Sequence, residues 1–106
     1  FADLTALELL SLRRNALTSL PDTLLTGLHN LTYVDFQHNN LEELPERAFT
    51  DLVNLQKLYL NENSLTSLPD DCFSGAYGLQ HLYLDWNRLQ RLPVGIFGGM
   101  SELKTL

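Results

Sequence analysis

The chain has 106 residues, 44% of them apolar, enough for one solenoid or globular domain. Its formal net charge of −6 argues against a phosphate-backbone partner, which would need clustered Lys and Arg. One cysteine rules out an internal disulfide, no Cys/His spacing suggests structural zinc, and no apolar run approaches the roughly 18 residues of a membrane span.

Residues 1–6 read as the tail of a repeat. Phe1 stands 24 residues before Leu25, which is in step with Phe49, Phe73 and Phe97, and Leu4 likewise matches Leu28 and Leu52. Full units follow at 7–30, 31–54, 55–78 and 79–102, and residues 103–106 open another. Asn15, Asn39, Asn63 and Asn87 coincide under this shift, as do the Leu-Pro pairs ending at Pro21, Pro45, Pro69 and Pro93. All four prolines thus share one register position, which chance would rarely produce. No linker or charge block interrupts the order, so a single repeat domain over residues 1–106 is expected.

Each unit opens with L-x-x-L-x-L-x-x-N, carried in the third by Leu55, Leu58, Leu60 and Asn63. The alternating L-x-L predicts a short strand with one buried face, and Val34 with Phe36 in the second unit suits the same role. One strand per unit cannot bury its apolar side alone. Stacked units would form a parallel sheet with a continuous core behind it. The ninth-position asparagines are expected to turn inward and satisfy backbone groups that the turn leaves unpaired.

The second half of each unit is the return path. Leu-Pro closes the sheet side, because proline has no N–H for a ladder. Polar residues then precede Leu25, Phe49, Phe73 and Phe97, the last three expected to stack as a spine, and Leu28, Leu52, Ala76 and Met100 complete the core. Gly27, Asp51, Gly75 and Gly99 share a position suited to left-handed or tight backbone. Turns or short 3₁₀ segments are expected here rather than long helices.

The pattern LxxLxLxxNxLxxLPxxxFxxLxx resembles that of leucine-rich repeats over essentially the whole chain. The length and LPxxxF are similar to the typical subclass of Toll-like receptor ectodomains, variable lymphocyte receptors and platelet glycoprotein Ib. The resemblance implies an α/β-type right-handed solenoid, with a parallel β-sheet on the concave face and turns or 3₁₀ segments on the convex one. It also implies a protein-binding module, in an extracellular or cell-surface recognition protein. An accessory scaffold subunit of a larger assembly is the alternative. Members of this kind carry cysteine-rich caps, absent here, so an interior piece is expected, its ends covered by further repeats, caps or a neighbouring subunit. Leu7, Leu10 and Leu12 would form one bare end layer, and Leu103 with Leu106 the other.

Function is sought at the variable strand positions, which should face solvent on the concave side. The third, fifth, seventh and eighth positions give four rows: Leu9, Tyr33, Lys57, His81; Ser11, Asp35, Tyr59, Tyr83; Arg13, Gln37, Asn61, Asp85; and Arg14, His38, Glu62, Trp86. These 16 positions hold six of the chain's eight Tyr, Trp and His residues, where even scatter would place about one. Amphipathic aromatics mixed with Arg and carboxylates are the composition of binding hot spots. The candidate partner-binding residues are Arg14, Tyr33, Asp35, His38, Lys57, Tyr59, Glu62, His81, Tyr83, Asp85 and Trp86. Ordinary β-formers on an exposed sheet would account for the tyrosines but not for Trp86.

Chemistry beyond binding has little support. Cys72 shares its register with Leu24, Ala48 and Ile96, which makes it a small buried hydrophobe rather than a nucleophile. His38 and Glu62 are row neighbours, but no third ligand or nucleophile joins them, so neither an enzyme nor a metal or cofactor site is expected. Asn30-Leu31-Thr32 is a glycosylation sequon, one match among eight asparagines. The acids Asp22, Glu42, Glu43, Glu46, Asp51, Asp70 and Asp71 fall in the turns and read as a solubilising surface.

Overall fold

The computed structural model describes residues 8–21 and 23–90. Phe1, Leu4, Leu7, Asp22, Leu92, Pro93, Ile96, Phe97, Gly99, Met100, Leu103 and Leu106 lie outside them, as do the partial repeats at 1–6 and 103–106. Within the described residues, β1 (Leu9–Ser11), β2 (Tyr33–Asp35), β3 (Lys57–Tyr59) and β4 (His81–Tyr83) pair in chain order. All three pairings are parallel, with Leu10 opposite Val34, Val34 opposite Leu58 and Leu58 opposite Leu82. The sequence repeat is therefore the register of the sheet, and the rest of each unit is the crossover that parallel pairing demands.

Period-2 alternation decides which face is buried. Leu10, Val34, Leu58 and Leu82, at the strand centres, point into the core. Residues on either side of them form the outward rows. Ladder bonding continues past the strands proper: Leu12, Phe36 and Leu60 each donate their N–H to the next unit, on Asp35, Tyr59 and Tyr83 carbonyls, at 2.9 Å. Arg14 and Glu62 extend it, donating to the Gln37 carbonyl at 3.1 Å and the Asp85 carbonyl at 3.0 Å.

Behind the sheet lies one hydrophobic cluster, with Phe36, Phe49 and ten leucines between Leu28 and Leu82 fully buried. Phe49 and Phe73 stack with centroids 5.8 Å apart and planes at 13°, the expected spine over the described residues. Leu10, expected in a bare end layer, is instead buried because it packs into this cluster, and Leu12 packs against it half-buried.

The asparagine ladder locks one unit to the next. Asn63 donates through Nδ2 to Leu60 O (3.1 Å) in its own unit and Phe36 O (3.1 Å) in the preceding one. Its Oδ1 accepts the Leu41 N–H at 3.1 Å. Asn39 and Asn87 repeat the pattern against Leu12 and Leu17, and against Leu60 and Leu65. These backbone groups leave the ladder where the chain turns, and the amide supplies the partners that burial would otherwise deny them.

Return paths are turns closed by i to i+3 bonds, such as Thr26 N–H to Thr23 O and Ser74 N–H to Asp71 O. That is the bonding step of a 3₁₀ helix, but no 3₁₀ or α segment forms among the described residues. The shared glycine position also splits. Gly27 and Gly75 take φ of +80° and +92°, whereas Asp51 does not enter the left-handed region; four residues before it, in register with Thr23 and Asp71, Arg47 does, at +55°. Asp51 instead uses its carboxylate Oδ2 to accept the Gly27 N–H at 3.0 Å. An acid tolerates left-handed backbone poorly compared with glycine, and this bond gives it a different task.

Candidate binding face

The outward side of the sheet carries a line of rings. Tyr59 and Tyr83 stack, centroids 4.6 Å apart and planes at 7°. Tyr33 tilts against Tyr59 at 5.2 Å and 46°, and His81 lies parallel to Tyr83 at 6.5 Å. Parallel strands place row neighbours about 4.8 Å apart, close to the ideal ring separation, so the spacing of the backbone sets the spacing of the rings. Burial beneath its neighbours, and a hydrogen bond with Tyr33, push the Tyr59 hydroxyl up to about 12. It therefore stays a neutral donor at physiological pH.

The eighth-position row has a different origin. Arg14, His38, Glu62 and Trp86 all hold left-handed backbone, with φ of 60°, 59°, 59° and 58°. Such a conformation costs roughly 1–2 kcal/mol for a residue with a Cβ. It is imposed four times by the turn into the asparagine ladder. His38 Nδ1 and Glu62 Oε2 meet at 2.6 Å, both about a third exposed. Arg14 is exposed, and Trp86 stands out with 78% of its surface in solvent. Asp85 and Lys57 are exposed, while Tyr33, Tyr59, His81 and Tyr83 are half-buried.

Asp35 departs from expectation. Strand alternation puts it in the solvent-facing row, yet it is only 4% exposed. Its carboxylate folds back to accept the Gln37 N–H at 3.0 Å and the Gln37 side-chain amide at 3.2 Å, beside the Tyr59 ring. Asp35 is thus a brace beneath the aromatic line rather than a free charge for a partner.

Two residues that strand reasoning omitted join the face. Asn40 and Ser64, at the tenth position, line an open groove of about 600 Å³ with Asn39, Asn63, Glu62 and Trp86. The signal was available, since that position reads Ala16, Asn40, Ser64 and Arg88 in a pattern otherwise flanked by Asn and Leu. At the opposite end of the strands, Glu8, Asn30, Thr32, Asn54 and Gln56 line a second shallow groove of about 360 Å³. Asn30 of the sequon is exposed there, and Thr32 Oγ1 donates to the Glu8 carbonyl at 3.2 Å.

No three His, Cys, Asp or Glu side chains converge to a metal-holding geometry among the described residues. Cys72 is fully buried, and desolvation pushes its thiol up to about 12, far from a reactive thiolate. No described helix is long and apolar enough to cross a membrane.

A family model described as leucine rich repeat matches the chain at residues 5–65, 29–89 and 53–106. The chain belongs to the leucine-rich repeat family. Its overlapping matches follow the same repeat that sets the strand register, and the four-stranded parallel sheet is the solenoid of that family. Leucine-rich repeats are generally protein-interaction modules without catalytic activity of their own. No curated protein matches the sequence closely enough to count as a relative.

Proposed function

We propose that this leucine-rich repeat segment binds a protein partner through the outward, concave side of its sheet, within an extracellular or cell-surface recognition protein. The observation that carries the reading is the aromatic line Tyr33–Tyr59–Tyr83–His81, with the exposed Trp86 three residues beyond Tyr83 in the chain. The fold needs only the inward leucines, so rings on the opposite side add nothing to the core. Rigid amphipathic rings bury large area at low entropy cost, which makes them natural anchors. Arg14, Lys57 and Asp85, all exposed, supply charge selectivity around them. The exposed sequon asparagine Asn30 supports a secretory setting.

A photo-crosslinking amino acid placed at Tyr59 or Tyr83, and as a control at Val53 on the return side, tests the face. Partner crosslinks should form from the sheet positions, and those from Tyr59 should be lost when Tyr33 and Tyr83 are changed to alanine. Equal crosslinking from Val53 would overturn the assignment.

A further inference from the structure

The end of the face around Trp86 has a chemistry of its own. Trp86 is the chain's sole tryptophan, and together with Glu62 it borders the groove of about 600 Å³. The groove's floor has no hydrogen bonds left to give. Asn39 and Asn63 are buried with their Nδ2 groups committed to Leu12, Phe36 and Leu60 carbonyls and their Oδ1 atoms to Leu17 and Leu41 N–H groups. What remains open is rich in acceptors. Glu62 engages His38 through Oε2, which leaves Oε1 for another donor. The exposed carboxylate of Asp85, next to Trp86 in the chain, makes no ion pair or side-chain hydrogen bond among the described residues. Between Gln37 and Asp85 in the seventh-position row, the buried Oδ1 of Asn61 has no donor either.

An exposed indole with carboxylates beside it attracts a cation that is planar, weakly hydrated and rich in donors. We infer that this corner holds an arginine side chain of the protein partner, its guanidinium stacked on Trp86 and hydrogen-bonded to Glu62 and Asp85. The inference rests on the sheet face being the binding surface and names what the partner presents there. Local charge favours it over a neutral occupant: Glu62 lines the groove with Trp86 and the exposed Asp85 precedes it, two carboxylates against the exposed Arg88 two residues further on. The same rows begin at Arg13 and Arg14, so a basic segment is drawn to the Trp86 end and repelled from the other. Lysine would meet the charge but not the flat indole and the two acceptors together.

Because Trp86 is the only tryptophan, its fluorescence reports this corner directly. The 106-residue protein is titrated with tetra-arginine, tetralysine, tetraglutamate and cellotetraose, the last a neutral stacking ligand. Tetra-arginine should give a saturating change in emission, tetralysine one about threefold weaker, and the other two none. Asp85→Asn and Glu62→Gln should each weaken tetra-arginine binding roughly three- to tenfold, whereas Glu42→Gln combined with Glu43→Gln, on the turns, should leave it within about twofold. With a labelled peptide followed by anisotropy, Trp86→Phe should retain most binding and Trp86→Ala should not. Equal weakening by the Glu42/Glu43 pair would mean a diffuse acidic surface and would overturn the assignment. So would saturation by cellotetraose, or silence with tetra-arginine. These outcomes leave the crosslinking from Tyr59 and Tyr83 untouched, so failure here is separable from failure of the face itself.

Discussion

Asn63 and Phe36 belong to successive repeats, yet the side-chain amide of the first donates to the backbone carbonyl of the second at 3.1 Å. The same amide serves Leu60 O, and its oxygen holds the Leu41 N–H. Asn63→Ala would leave the buried Leu41 N–H without a partner, and would take one of two donors from Phe36 O and Leu60 O, which Asn39 and Asn87 still serve. With about 1–3 kcal/mol for that one unsatisfied group and less for the two shared carbonyls, a loss of roughly 2–3 kcal/mol is expected. Asn15 makes the same kind of bond only within its own unit and is exposed, so Asn15→Ala should cost under about 1 kcal/mol. Urea unfolding of both variants checks the contrast; equal midpoints would show that the ladder adds nothing between repeats.

Gly75 and Gly27 hold equivalent positions with unequal surroundings. A Cβ on Gly75 would lie 2.3 Å from the Thr50 carbonyl oxygen, whereas on Gly27 it would meet nothing within 4 Å. Both carry positive φ, worth roughly 1–2 kcal/mol against alanine. Gly27→Ala should therefore cost about that much, and Gly75→Ala clearly more, because backbone atoms of the neighbouring repeat must shift as well. Thermal unfolding of the two variants decides whether close approach or φ alone governs this position.

The strand register, the inward leucines, the asparagine ladder and the phenylalanine stack were legible in the sequence because each repeats at the same offset. Departures arise where one unit differs from its siblings. Asp51 sits at a glycine position without positive φ, and Arg47 alone of its own register turns left-handed among the described residues; a register argument averages over such differences. Asp35 alternates outward by periodicity, but its neighbour Gln37 offers it two donors, and local hydrogen bonding wins over exposure. The left-handed backbone of the eighth position was invisible because no glycine marks it. Arg14, His38, Glu62 and Trp86 differ in chemistry and share only geometry.

Alkaline pH should weaken the fold through the Cys72 thiol and the Tyr59 hydroxyl. Desolvation raises the Cys72 thiol from 9.0 to about 12, and burial with the Tyr33 hydrogen bond raises Tyr59 from 10.0 to about 12. An acid with a raised folded pKa contributes fully below its unfolded value. Above that value the unfolded chain releases the proton first, so the contribution fades as pH climbs toward the folded value. Stability should thus begin to fall near pH 9 and steepen beyond pH 10. Cys72→Ala should abolish the earlier onset while lowering the plateau by the small cavity it leaves. Unfolding midpoints measured from neutral to strongly alkaline pH test this, and identical profiles for both proteins would remove Cys72 from the account.

If the proposed face is the binding surface, Trp86 sets stability against recognition. Its φ of 58° is left-handed, and with 78% of its surface in water it returns little burial in compensation. Asparagine adopts this region more readily than other residues with a Cβ. Trp86→Asn should accordingly raise stability by up to about 1 kcal/mol while weakening the partner. Glu62→Asn relieves the same strain but breaks the 2.6 Å pair with His38, so its gain should be smaller or absent. The comparison separates backbone from side chain: both variants change the same conformation, and only one removes the contact with His38. If Trp86→Asn destabilises the protein, the indole is packing against something the fold requires. Its exposure would then be no sign of a waiting partner.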